Sequence, residues 1–229
     1  MSATPLSGPA ISDAPWAGPE PEFSVLGVRT VRHAAAPQLA LDLQVSECSG
    51  RQVYMIALSV NVMLEPARRS YDDATRARLH ELFGEPERWA LTTRSLVWSQ
   101  LDVLVPAFTG VTTVPIGIAA SYDLELAATK YLHALPDGMA PMALHFNGMI
   151  YYQADDGRLQ MVLVPWNTSI DFQLPVTVWR ETIEHYYPNT GWVALALENL
   201  RALQDVKRRR GLTTLDATVE ALVREAGDD

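Results

Sequence analysis

Cysteine is almost missing from this chain: Cys48 is the single one among 229 residues. One thiol cannot form an intrachain disulfide, and it cannot supply a metal or cluster site that needs several cysteines. This scarcity predicts a protein of the reducing cytoplasm. Cys48 lies beside a turn with no histidine close in sequence, so we interpret it as a small filler at a strand end rather than a nucleophile.

Basic residues and long apolar runs are also scarce. The chain carries 18 Lys and Arg against 27 Asp and Glu, a net charge of −9, which argues against broad binding to nucleic acid or to an anionic membrane. It has no run of about 18 consecutive apolar residues, so no membrane-spanning helix is predicted. Residues 1–22 contain no Lys or Arg and no apolar core of a signal peptide. We expect these residues to form a disordered leader rich in Pro, Gly and Ala.

Recognisable catalytic motifs are missing as well. The patterns G-x-S-x-G, G-x-x-x-x-G-K-[ST], G-x-G-x-x-G and H-E-x-x-H do not occur, so the common hydrolase, nucleotide-binding and zinc-protease templates are unsupported. We therefore predict no catalytic residue and no cofactor, and a non-enzymatic protein is favoured over an enzyme.

Strand patterns fill the middle of the chain. Alternating apolar and polar residues, enriched in β-branched types, predict strands that are separated by turns. The first three should form a meander, and Pro115 with Gly117 should make the fifth an edge strand or a bulged strand. Asp156-Gly157 predicts a tight hairpin. The segment 122–135 also fits a helix, but we interpret it as a strand because it leads into the Asp137-Gly138 turn. The predicted strands cover residues 23–32, 39–45, 53–64, 92–106, 111–120, 122–135, 143–153 and 159–166.

Helical periodicity appears in two parts of the chain. One connector helix is predicted over residues 71–83, with Gly84 just past its end. Pro175 opens a second helical region, in which Trp179 should be buried between a helix and the sheet. Two later helices carry apolar stripes, formed by Leu197, Leu200, Leu203 and Val206 and by Leu215, Val219, Leu222 and Val223.

These patterns together predict an α+β fold: an antiparallel β-sandwich or partly open barrel with a connector helix and a C-terminal helical cap. The predicted divisions are the leader over residues 1–22, the β body over 23–174 and a helical region over 175–229 packed on the sheet. If the sheet covers only one of the two C-terminal stripes, the other must meet a partner chain. We therefore expect a homodimer or a stable hetero-complex through this end.

Four polar residues are candidates for a ligand site. If residues 122–135 and 143–152 pair as strands, His133 and His145 lie nearly opposite each other, within reach of a shared ion. Third and fourth ligands are missing from the pattern, so separate surface or core histidines are the better interpretation and no metal is predicted. Asp123 and Glu125 would point to one face of a strand. This pair can be interpreted either as an acid–base site or as two solvated side chains.

Two basic clusters are candidates for receiving an acidic partner surface. The first follows a strand, and the second ends a helix, where positive charge also complements the helix dipole. Plain solvation is the alternative for both clusters. The residues are Arg68 and Arg69 in the first cluster, and Lys207, Arg208, Arg209 and Arg210 in the second.

Several runs resemble a known family. They are L-E-P-A-R-R-S-Y, S-Y-D-L-E-L-A-A-T-K-Y, V-P-W, L-P-V-T-V-W-R and Y-Y-P-N-T-G-W, in this order. Across residues 23–222 the chain resembles an uncharacterised bacterial domain-of-unknown-function family that is common in actinobacteria. Genes of that family often lie beside those of high-affinity nickel-iron hydrogenases.

The resemblance implies a role in assembling or maturing a redox complex. The expected function is therefore that of a non-enzymatic accessory or interaction protein. The alternative is an enzyme or a small-ligand-binding β-barrel, with its site near Asp123, Glu125, His133 and His145.

Overall fold

Two antiparallel sheets form the body of the protein. A computed structural model describes residues 18–120, 123, 126–191 and 193–227. The first sheet has the order β1-β2-β5, and the second has the order β4-β3-β6-β7, with β8 pairing the other part of β6. The strands are β1 Glu22–Thr30, β2 Gln38–Ser46, β3 Val53–Leu64, β4 Leu96–Val105, β5 Val111–Ala119, β6 Met139–Gln153, β7 Leu159–Leu163 and β8 Ser169–Pro175.

The core lies between the inner faces of these sheets. Every second residue of β3 from Ile56 to Leu64 is buried, which is the period that a strand with one face inward requires. The rings of Phe23 in the first sheet and Phe146 in the second stack with centroids 4.5 Å apart. The sheets are not closed into a barrel in the described part of the chain, so the predicted α+β fold class is confirmed in its sandwich form.

Strand pairing differs from the predicted meander. β1 and β2 do pair, from Glu22 opposite Ser46 to Thr30 opposite Leu39. β3, however, lies in the other sheet, between β4 and β6. The meander is therefore wrong beyond its first hairpin, because alternation marks a strand without specifying its neighbour. The edge position predicted for β5 is confirmed, since it is the end strand of the first sheet as described.

The strand predicted over residues 122–135 is wrong. Its described part forms helix α3, Ala127–Ala134, while Tyr122, Leu124 and Glu125 lie outside the described residues. Ala128, Tyr131 and Leu132 are buried at helical spacing, and the run A-A-T-K-Y-L-H-A is rich in residues that favour helices. The pairing of His133 with His145 across neighbouring strands therefore does not occur.

Four of the remaining helices follow the predicted positions, whereas the short helix Trp89–Thr92 was not predicted. Helix α1 is Asp73–Phe83, with the Asp72 carboxylate accepting the Thr75 N–H at 2.7 Å and Gly84 at φ 72° after its end. Helix α2 is a short turn, Trp89–Thr92, and α4 is Val176–Tyr186. Helices α5 and α6 are Leu197–Arg210 and Leu215–Gly227. None of the helices in the described ranges is long and apolar enough to cross a membrane.

Helix α4 attaches firmly to the sandwich. It packs on β1, β2, β8 and α3, and the Tyr186 hydroxyl donates to the Val31 carbonyl at 2.6 Å. The Trp179 side chain is only 2% exposed, as predicted. The predicted helical cover on the sheet is therefore supplied by α4.

One glycine is required by the sheet itself. Gly148 lies in β6 at φ 154°, and a Cβ atom there would lie 2.0 Å from the Ala57 carbonyl oxygen of β3. No side chain fits at that distance, so two central strands approach closely only because this position is glycine.

Candidate interaction surfaces

The C-terminal helix pair, α5 and α6, is joined by a short capped connection. Gly211 takes a left-handed conformation at φ 67° after α5, which is the usual glycine stop. The Thr214 hydroxyl then accepts the Ala217 N–H at 3.0 Å and opens α6. Local sequence chemistry thus fixes both boundaries of the pair.

Helix α6 lies across the end of α5. The Arg210 guanidinium donates to both carboxylate oxygens of Glu225, at 2.5 and 3.1 Å. Leu215 and Glu225 are about 15 Å apart along α6, so an antiparallel pair aligned side by side would instead bring Arg210 beside Leu215. The N-terminal turns of α5 are therefore left uncovered by α6.

The apolar stripes of the pair are covered only in part. No residue of α5 is buried, and Thr218 is the buried residue of α6. The two helices pack principally on each other, and this contact leaves five stripe residues half-buried: Leu200, Leu203, Val206, Leu215 and Leu222. Leu197, Val219 and Val223 stay between 44% and 67% exposed, and these three side chains remain available for contact.

The basic cluster at the end of α5 is partly engaged within the pair. Arg208 pairs with Asp205 one turn earlier, and Arg210 pairs with Glu225. Lys207 is half-buried and Arg209 is exposed. Arg210 therefore links α5 to α6, whereas Arg208 pairs within α5.

Arg69 and Arg68 differ in what they contact. Arg69 donates to the carbonyl oxygens of Asp137 and Met139, both at 2.8 Å, and so clamps the turn before β6. Arg68 pairs with Asp171 at 2.6 Å, and both side chains are exposed. The Asp171 hydrogen bond raises the pKa of Arg68. Arg69 therefore has a structural task that the sequence did not reveal.

His133 and His145 lie on different elements, α3 and β6, and not on neighbouring strands. His133 ends α3, with its ring edge-on to Trp179 at 6.4 Å between centroids. His145 lies on β6, opposite Asn61 and Ser169. Asp123 is half-buried, and Glu125 lies outside the described residues. Among the described residues there is no group of three or more His, Cys, Asp or Glu that could hold a metal ion.

His133 does line a groove of about 830 Å³ beside α4. Several polar groups of this groove are already bound to the protein backbone. Arg180 donates to the Leu135 carbonyl, and His185 donates to the Arg32 carbonyl at 3.1 Å. The groove is lined by Thr30, Arg32, His133, Trp179, Arg180, Glu181, Ile183, Glu184 and His185.

Sequence reasoning missed a pair formed by the half-buried Tyr71 and the buried Tyr131. The hydroxyls of Tyr71 and Tyr131 lie 2.9 Å apart, and Tyr71 donates to the Pro66 carbonyl at 2.7 Å. Burial and then the Tyr131 hydrogen bond raise the pKa of Tyr71, and burial also raises the pKa of Tyr131. Both phenols therefore stay protonated and link α3 to the loop before α1.

Two solved structures show distant similarity to this chain. The crystal structure of the putative ApaA protein from Bordetella pertussis covers 68% of this chain and 93% of its own, at 10% identity and a TM-score of 0.27. Spo0M, a sporulation control protein from Bacillus subtilis, covers 82% of this chain and 54% of its own, at 9% identity and a TM-score of 0.18. Both TM-scores are too low to carry an argument about fold or function.

Sequence comparison is more informative. No curated protein matches the chain. The model of a family of unknown function, DUF6084, matches residues 18–229, and the chain belongs to this family.

Proposed function

We propose that this protein is a non-enzymatic accessory protein whose C-terminal helix pair binds another protein surface. The observation that carries the proposal is that α5 buries none of its residues, although it carries an apolar stripe. A soluble monomer rarely leaves such a surface open without a use. The protein thus has a firmly packed body and a separate contact element.

Contact through the pair has a clear energetic source. Fully burying one Leu or Val side chain contributes about 1.5–3 kcal/mol. Leu197, Val219 and Val223 are between 44% and 67% exposed, so a partner that covers them gains roughly half of that amount from each. The gain must also offset the entropy lost on association, so a stable complex needs several such residues at once.

A narrower proposal is that the bound protein belongs to a redox complex. This proposal is supported by the family resemblance. A nickel-iron hydrogenase as the partner rests only on association, through the gene neighbourhood of the family that the chain resembles, and the net charge of −9 adds no preference of its own. Recovery of hydrogenase subunits with this chain is the expected result.

A pull-down from native lysate tests both levels. The bait is the tagged full chain, and the prey contains untagged copies of this chain and intact hydrogenase. We expect the wild type and Ala202→Glu to recover a protein from this prey, and we expect Val223→Glu to recover much less of it. Ala202 is exposed on α5 and lies away from its apolar stripe, so it controls for the added charge.

The outcomes separate the two levels. Equal recovery of the prey by Val223→Glu and by the wild type contradicts a contact through the helix pair. In a second outcome, the bait recovers copies of this chain without hydrogenase, from a lysate that keeps the hydrogenase subunits together. That result contradicts the hydrogenase proposal and leaves contact through the helix pair standing.

The alternative function is small-ligand binding at the groove beside α4. It is supported by His133, which lines the groove, and by the buried Trp179 beneath it. It is weaker because His145 lies on β6 and is not among the groove residues. Its polar groups also bind the backbone in place of a ligand.

A further inference from the structure

The outer face of the second sheet carries an apolar patch that no other element covers in the described part of the chain. We call it the outer sheet patch. The strand register places Met149 opposite Leu163, and Tyr151 opposite Met161. On the other side, Tyr151 lies opposite Met55. The patch comprises Met55, Leu104, Met149, Tyr151, Met161 and Leu163.

The patch faces away from the core. Ile150 alternates with its β6 members and is fully buried, so the neighbouring positions point outward. Leu163 and Met161 are 59% and 54% exposed, and Leu104 is 64% exposed. No member is charged, and three are methionines, whose flexible side chains adapt to the surface that they meet.

The same chain therefore has two uncovered apolar surfaces of complementary kinds. An amphipathic helix covering a sheet face is one of the stable layer arrangements in proteins. The sheet offers the receiving face, and α6 offers Val219 and Val223, one turn apart on the same side. We propose that the outer sheet patch receives the C-terminal helix pair of a second copy of this chain. This inference rests on the proposed function, and it identifies the surface that the pair binds.

The position of α4 favours a second copy over the chain's own pair. The Tyr186 hydroxyl donates to the Val31 carbonyl at 2.6 Å and His185 donates to the Arg32 carbonyl at 3.1 Å, so α4 ends beside the end of β1 in the first sheet. The outer sheet patch lies on the face of the second sheet that points away from the first sheet. The connector 187–196, which spans at most about 35 Å when fully extended, would have to pass around the edge of the sandwich to bring α5 to its own patch. A second copy has no such constraint.

Reciprocal docking also gives enough buried area. An apolar patch on a monomer typically measures ~300–600 Å². Two copies that exchange helix pairs make the same contact twice around a twofold axis. The two sheet patches and the two helix pairs then bury a total area on the order of 1,200–2,400 Å², which lies in the range of stable dimer interfaces. A single contact would fall short of that range.

Disulfide trapping tests the contact directly, because Cys48→Ser removes the single cysteine. In that background, one protein carries Met161→Cys and another carries Val223→Cys. Mixing them under mild oxidation is expected to give a disulfide-linked pair. Gln100→Cys is the matched control in place of Met161→Cys, because Gln100 is exposed on β4 and does not belong to the patch. We expect at least tenfold less product with that control.

Sedimentation equilibrium of the full chain at tens of micromolar supplies the second readout. We expect a dimer for the wild type and for Gln100→Lys, and at least tenfold weaker association for Met161→Lys and Val223→Glu. All these positions are exposed, so matching thermal melts should show that each variant is folded.

Four results would overturn the inference. Equal trapping at positions 100 and 161, or a disulfide formed within one chain when both cysteines are present, would show that the pair does not dock on a second copy's patch. A dimer lost in Val223→Glu and kept in Met161→Lys would reject the patch while leaving the proposed function standing. A dimer kept in both variants would reject the patch and the helix pair together.

Discussion

Trp179→Ala should destabilise the protein strongly, because the indole anchors α4 to the body. Trp179 is 2% exposed, and its helical neighbours Val176 and Ile183 are also buried. The His133 ring lies edge-on against the indole. Removing the indole leaves a cavity between α4, α3 and the strands beneath. The rigid sheet cannot fill this cavity by collapsing.

The magnitude follows from the buried area. A tryptophan buries about 150–250 Å², and at ~25 cal/mol per Å² this corresponds to roughly 4–6 kcal/mol as an upper bound. Measured Trp→Ala losses in cores are about 3–5 kcal/mol. For a domain of this size, each kcal/mol lowers Tm by about 2–4 °C. The expected fall in Tm is therefore about 6–20 °C.

Thermal melting followed by circular dichroism measures this fall, with Thr177→Ala as the control. Thr177 is exposed on the same helix, so its substitution tests the effect of alanine on α4 without opening the core. A Tm for Trp179→Ala that matches the Tm of Thr177→Ala would refute the anchoring of α4 through the indole.

Three other changes probe the structure. Gly148→Ala should lower Tm sharply because the added Cβ has no space. Gly27→Ala is the control, since the position has open space around it, and it should melt like the wild type. Equal Tm values for the two variants would contradict the close approach of β3 and β6. Arg69→Ala should lower the free energy of unfolding, measured by urea denaturation, by about 1–3 kcal/mol because two carbonyls lose their donor. Arg68→Ala should lower it by less than about 1 kcal/mol. A larger loss for Arg68→Ala than for Arg69→Ala would contradict the role of Arg69 as a clamp. Because the pKa of Tyr71 is raised in the folded state, its contribution to stability should be constant below about pH 10 and fall above it. Tyr71→Phe should reduce that alkaline fall, and an unchanged pH profile would contradict the assignment.

The sequence alone determined the elements whose boundaries depend on local chemistry. Gly84 predicted the end of α1, and Asp156-Gly157 predicted the hairpin between β6 and β7, because caps and tight turns involve atoms only a few residues apart. The alternation of residues 39–45 in β2 was also legible, since it repeats along a single strand. For the same reason, the burial of Trp179 followed from its neighbours on one helical face.

Only the tertiary structure decided which elements meet. β8 was not predicted, although S-I-D-F-Q-L alternates, because a short strand gains its stability from pairing with β6. Residues around His133 carried both strand and helix patterns, and burial of Tyr131 against the core selected the helix. The candidate surfaces depended on the same long-range information. The sequence predicted the stripes on α5 and α6, but whether the sheet covers them depends on packing between distant parts of the chain, which no local pattern encodes.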